Sequence, residues 1–195
     1  MKKIFLLFSA IFLTFSVFSQ ITIGQSDMPS EGDTLRMSFA DSLLVDYTKP
    51  GIDTTWNFSM LHKSNQTIDT FMNVTNVPAV YWLVFTPGIV ANLASPVSAA
   101  IPLPGVVIDH LFAFYKKSSS AFNNLGLAFQ ISGIPIMVKY ANPDVYYTLP
   151  LMMGATWNSV AASSASLPGI GYYATSRNRT SQVDGWGHLI TPYGN

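Results

Sequence analysis

The chain has 195 residues, no cysteine, and equal basic and acidic counts of 10 and 10. Without cysteine there is no disulfide, no thiolate zinc site and no lipid-modified N-terminal Cys. Charged residues are 10% of the chain, against roughly 25% in an average domain, and no basic cluster offers a footprint for nucleic acid or an anionic membrane.

Met1-Lys2-Lys3 is a short basic start, and Ile4 to Phe18 is apolar apart from Ser9, Thr14 and Ser16. Val17-Phe18-Ser19 then supplies small residues at the positions signal peptidase reads. Residues 1–19 are therefore expected to be a secretory signal peptide, cut between Ser19 and Gln20, and too short to span a membrane stably. Cleavage removes Lys2 and Lys3, leaving 8 basic against 10 acidic residues and a net charge of −2. Residues 20–195 are enough for a single β-rich domain with a real core.

Strand-sized runs of Val, Ile, Thr and aromatics alternate with Gly, Pro, Asn and Asp. In Thr34 to Phe39, Leu35, Met37 and Phe39 share one face, which predicts a half-buried strand. Val80 to Phe85 and Leu111 to Tyr115 are apolar on both faces and read as central strands or as strands covered by loops. Ile89 to Ile108 is long and apolar but holds Pro96, Pro102, Pro104 and Gly105, which would break a helix in lipid. It reads as a long connection with a short helical stretch around residues 89–100, so no membrane span is expected in the mature chain.

Leu125 to Ile131 and Ile134 to Tyr140 flank Ser132-Gly133, which predicts a hairpin with a two-residue loop. That loop pairs Ile131 with Ile134, Phe129 with Ile136, Leu127 with Val138 and Leu125 with Tyr140. The opposite face pairs Gln130 with Pro135, Ala128 with Met137 and Gly126 with Lys139. Pro135 places the second strand at a sheet edge. Asn142-Pro143-Asp144 reads as a turn before a strand over Val145 to Leu149. A further strand is expected over Tyr172 to Arg179, and a strand pair over residues 183–191. Thr191-Pro192-Tyr193-Gly194-Asn195 is a turn signature, so the natural chain is expected to continue past Asn195.

Catalytic signatures such as G-x-S-x-G, H-E-x-x-H, the P-loop and G-x-G-x-x-G are missing from the sequence. Asp109, Asp144 and Asp184 are candidate carboxylates, but Asp144 and Asp184 sit beside Pro143 and Gly185 and read as turn residues. His62, His110 and His188 have no metal-like spacing. Asp27, Glu31 and Asp33 could hold calcium from one loop, though in no EF-hand pattern. No catalytic residue, metal site or cofactor is expected. Trp56, Trp82, Trp157 and Trp186, with Tyr146-Tyr147 and Tyr172-Tyr173, are candidates for stacking on sugar rings. Core packing is the competing role for each. In each Tyr pair a strand would turn one ring inward and one outward.

Ile21-Thr22-Ile23, Asp27-Met28-Pro29 and Gly32-Asp33-Thr34-Leu35-Arg36 resemble the mature start of many exported Bacteroidota proteins. Thr55-Trp56-Asn57-Phe58-Ser59, Phe114-Tyr115-Lys116-Lys117-Ser118, Gly171-Tyr172-Tyr173 and Val183-Asp184-Gly185-Trp186-Gly187 fit the same group. Those proteins often end in a type IX secretion sorting domain, which this sequence does not contain. The resemblance implies secretion or surface display if the chain continues, and says nothing of an activity. It also implies O-glycosylation at Asp-Ser/Thr-aliphatic triplets, with Thr34, Ser42 and Thr54 as acceptors.

The expected fold is all-β, an antiparallel β-sandwich, with a distorted β-barrel as the alternative. The expected role is a non-catalytic module of an exported or cell-surface protein, structural or adhesive, with a glycan or another surface protein as partner. A carbohydrate-binding module of a polysaccharide-degrading secreted protein is the alternative. A hydrolase completed by residues past Asn195 is a third reading.

Overall fold

The computed structural model describes residues 21–40, 46, 48–97, 107–167, 169 and 171–194. The expected leader, residues 1–19, the expected cut site between Ser19 and Gln20, and Ser42 lie outside these residues. Among the described residues ten strands follow in order: β1 (Thr34–Ala40), β2 (Gly51–Asn57), β3 (Lys63–Thr70), β4 (Leu93–Pro96), β5 (Ile108–Lys117), β6 (Ala121–Ile131), β7 (Ile134–Thr148), β8 (Thr156–Leu167), β9 (Gly171–Gln182) and β10 (Gly185–Ile190). The helical content of the described residues is three short 3-10 turns, Gln25–Asp27, Val74–Asn76 and Ala79–Leu83. No helix among them is long and apolar enough to cross a membrane.

The chain is all-β. Strands β4-β5-β6-β7 form one antiparallel sheet, β1-β3 and β8-β9 are antiparallel ribbons, and β2 and β10 pair in parallel. The largest sheet is open, with β4 and β7 as its edges. The strands do not close into a barrel, which corrects that alternative.

The β6–β7 hairpin follows its sequence pattern closely. Ser132 and Gly133 have φ of 50° and 81°, the pair of positive values that matches a hairpin's twist. Six of the seven expected cross-strand pairs form, from Ile131 with Ile134 to Gly126 with Lys139. Pro135 lies on an edge strand, as its missing N–H requires. The seventh pair fails. Asn124 pairs with Asp144, the register shifts, and Gly126 resumes with Lys139, so Leu125 never meets Tyr140. At Gly126 φ is 135°, and a Cβ there would fall 2.1 Å from the Val138 carbonyl oxygen. The Asn124 side chain closes the bulge by accepting from the Gly126 N–H at 2.8 Å. Leu125 then joins a different core cluster. Asn142-Pro143-Asp144 is not a turn: β7 runs unbroken through it. An edge strand tolerates Pro143, because one side of its ladder needs no donor.

Alternation along the sheet sorts two apolar faces. Phe114 and Ala128, flanked by Phe112 and Met137, pack against Val74, Val77, Tyr81 and Phe85. Phe85 stacks on Phe114 at 4.1 Å, and the Tyr81 hydroxyl donates to the His110 carbonyl at 3.1 Å. Val80 to Phe85 is therefore not a strand but largely a 3-10 turn, Ala79–Leu83. Pro78 opens it, and an apolar run this short does not distinguish strand from helix by periodicity. The other sheet face carries Phe129, Ile131, Ile136 and Val138, which pack with Ala165 and Leu167 of β8.

Three further expectations change. Around residues 89–97 the chain makes a turn and then strand β4, not a helix, while residues 98–106 lie outside the described set. Leu35, Met37 and Phe39 do share a strand, but each remains exposed. Residues 183–191 hold one strand, not two. Its partner is the distant β2, reached because Gly187 lets the backbones approach; a Cβ there would fall 2.0 Å from the Thr54 carbonyl oxygen.

Candidate functional site

The hairpin β8–β9 is built from small residues on its inner face. Ser159, Ala161, Ser163 and Ala165 alternate along β8, directly opposite Arg179, Arg177, Thr175 and Tyr173 of β9. Period-two alternation turns these eight side chains to one side. Ser and Ala are too short to fill the space above the sheet. A hollow of about 300 Å³ results, walled by Ile108, Leu127, Phe129 and Val138 below and by Ser163, Ala165 and Leu167 above. A second hollow, about 410 Å³, lies toward the β1–β3 ribbon and is lined in part by Met37, Phe39, Thr67 and Asp69. Leu127, Tyr140 and Arg177 line both, so the two hollows adjoin.

Beside them sits a buried ionic cluster. Asp144 is fully buried. Its carboxylate accepts from Arg177 Nη1 at 2.8 Å, Arg179 Nη2 at 2.5 Å and Ser159 Oγ at 2.8 Å. Ser159 Oγ in turn accepts the Val145 N–H at 2.9 Å, and Arg179 Nη2 also donates to the Val145 carbonyl at 3.0 Å. The Arg179 guanidinium lies 5.1 Å from the Tyr146 ring centre, a cation–π distance. Hydrogen bonding to Asp144 raises the Arg177 pKa above its ordinary value, so it stays cationic. Burial raises the Tyr140 phenol, which stays neutral at physiological pH. Two guanidiniums against one carboxylate leave a net positive charge, and Arg177 carries it outward with a side chain 53% exposed.

Chemically, the cluster holds itself. Both carboxylate oxygens of Asp144 accept from its own cations and Ser159, and the group has no exposed surface. Among the described residues no three His, Cys, Asp or Glu side chains converge to hold a metal. Asp27, Glu31 and Asp33 instead accept from the Gly24 N–H, the Asn73 side chain and the Ser30 N–H.

The four tryptophans do not assemble. Trp56 and Trp186 share the parallel β2–β10 ribbon, Trp82 lies in the Ala79–Leu83 turn and Trp157 on β8; all four are half-buried. Three spend their indole N–H on the chain's own backbone: Trp56 on Lys49 at 2.9 Å, Trp82 on Val74 at 2.9 Å and Trp157 on Val145 at 3.3 Å. Tyr146 turns inward against Tyr115 and Phe122 while Tyr147 is exposed, but Tyr172 and Tyr173 are both exposed. Thr34 opens β1 and is exposed; Thr54 is half-buried within β2.

The Asp144, Ser159, Arg177 and Arg179 cluster was missed in the sequence. A signal existed: two arginines at i and i+2 share a strand face, and where such a face packs inward their charges call for a carboxylate. No protein-family model matches the chain, and neither curated proteins nor solved structures include a significant match.

Proposed function

We propose that this chain is a non-catalytic module of an exported or cell-surface protein, structural or adhesive in role. We further propose that its layers form a β-sandwich, with the β8–β9 hairpin and the β1–β3 ribbon lying over the open sheet. The observation that supports a non-catalytic role is the closed coordination of Asp144 by Arg177, Arg179 and Ser159. A fully buried carboxylate held by two cations and a hydroxyl ties β7 to β8 and β9 and does not face a substrate. Export rests on the leader pattern of residues 1–19.

The test has two parts. N-terminal sequencing of protein recovered outside the cytoplasm is expected to begin at Gln20; intact cytoplasmic protein beginning at Met1 refutes export. Residues 20–195, immobilised, are expected to retain cell-envelope material with no turnover of glycoside or peptide substrates. Turnover that disappears on Asp144→Asn, in a variant that still folds, refutes the non-catalytic reading. Retention on an oligosaccharide column that is lost on Trp157→Ala transfers the support to carbohydrate binding.

A further inference from the structure

We infer that the hollow between the β6–β7 sheet face and the β8–β9 hairpin binds a linear aliphatic carboxylate, its alkyl chain on Leu127, Phe129, Val138 and Ala165 and its carboxylate on Arg177. This inference stands apart from the adhesive role and does not depend on it.

Size comes first. At about 300 Å³ the hollow reaches the scale of small-molecule pockets, roughly 300–1,000 Å³. Shape and chemistry follow from the hairpin. The aliphatic and aromatic wall rises from the sheet; Ala165 and Leu167 of β8 close against one end of it, and the shorter polar Ser163 and Thr175 line the opposite side. An alkyl chain makes dispersion contacts with that wall which Ser163 is too short to make. A sugar fits poorly, because its hydroxyls would face Leu127, Phe129 and Val138 without hydrogen-bond partners.

Charge fixes the head group. Arg177 is the one charged residue among the described side chains lining this hollow. Asp144 already has Arg179 as a second cation, so the cluster is positive overall. Arg177 gives Asp144 one hydrogen bond, through Nη1, of the five N–H donors a guanidinium carries. The rest of its fork can take a second carboxylate in the charge-assisted geometry that arginine favours. Tyr140, beside it, adds a neutral hydroxyl. Asp69 lines only the adjoining hollow, and its sign keeps an acid head group on the Arg177 side.

Isothermal titration calorimetry of residues 20–195 tests this, with sodium decanoate, octanoate, decan-1-ol and maltohexaose below any micelle concentration. Decanoate is expected to bind saturably, one per chain, with octanoate about fifteenfold weaker for two fewer buried CH₂ groups. Decan-1-ol should bind at least about tenfold weaker, matching the loss of one charge-assisted contact. Arg177→Gln is expected to weaken decanoate by a similar factor and leave decan-1-ol unchanged. Ser163→Phe, filling the hollow, should abolish both. Should Arg177→Gln fail to fold, Arg177→Lys must keep decanoate binding that Ser163→Phe loses. Absence of saturable decanoate binding, equal affinity for decan-1-ol, insensitivity to Ser163→Phe, or binding of maltohexaose in place of decanoate each overturns the inference.

Discussion

Replacing Asp144 with Ala asks how much of the fold hangs on one carboxylate. The substitution removes the shared acceptor of Arg177, Arg179 and Ser159. The two cations differ in what they can do next. Arg177 is 53% exposed and can turn to water, whereas Arg179 is 35% exposed and its Nε is buried without a partner among the described residues. The cost therefore falls mainly on Arg179 and Ser159. Breaking a buried pair by deleting one partner costs about 3–5 kcal/mol, and the relief open to Arg177 places this case near ~3 kcal/mol. A domain's whole stability is about 5–15 kcal/mol, so the melting temperature should fall by about 6–12 °C. Urea unfolding followed by Trp fluorescence and far-UV circular dichroism measures it, with Asp109→Ala as an exposed control expected within ~0.5 kcal/mol. The double variant Asp144→Leu, Arg179→Met should recover most of the loss, because a well-packed apolar pair replaces a desolvated ionic one. A loss below ~1 kcal/mol for Asp144→Ala, or no recovery in the double variant, refutes the assignment of this cluster as a structural lock.

Phe85→Ala removes a fully buried ring stacked on Phe114 and should cost about 3–5 kcal/mol in the same urea experiment. Ser132 holds φ of 50° in the hairpin turn. Ser132→Gly relieves about 1–2 kcal/mol of left-handed strain against ~0.5–1 kcal/mol of added chain entropy, so a gain of about 0.5–1 kcal/mol is expected and a loss refutes the turn geometry. Burial pushes the Tyr81 phenol up to about 12. Its stabilising share is then complete below pH ~10, the unfolded value, and is lost as pH rises toward about 12. The urea midpoint should fall across that window, and Tyr81→Phe should flatten the fall; an unchanged slope in Tyr81→Phe refutes Tyr81 as a source.

Much of the strand content was legible because it is local. The β6–β7 hairpin depends on a two-residue turn and period-two alternation, and both are written within Leu125 to Tyr140. The assignments that failed depended on something outside their own window. Val80 to Phe85 carries an apolar run compatible with several backbones, and its 3-10 form follows from packing Tyr81 and Phe85 onto Phe114. Asn142-Pro143-Asp144 has turn composition, yet it continues a strand because β7 is an edge and Asp144 is drawn inward by arginines more than thirty residues later. The break at Leu125 hinges on how closely Gly126 approaches Val138, a distance no local pattern encodes.

By itself the sequence determined the absence of disulfides, the low charge, the basic-then-apolar pattern of residues 1–19, the strand-rich character and the register of one hairpin. Each follows from composition or from residues near one another along the chain. Only the tertiary structure decided that β2 pairs with β10, that the tryptophans are dispersed, and that Asp144 meets Arg177 and Arg179 beside an apolar hollow. Those facts depend on which faces meet across long separations. The free energy that settles them comes from burying apolar surface and pairing charges between distant segments, and the order of residues within any one segment does not contain it.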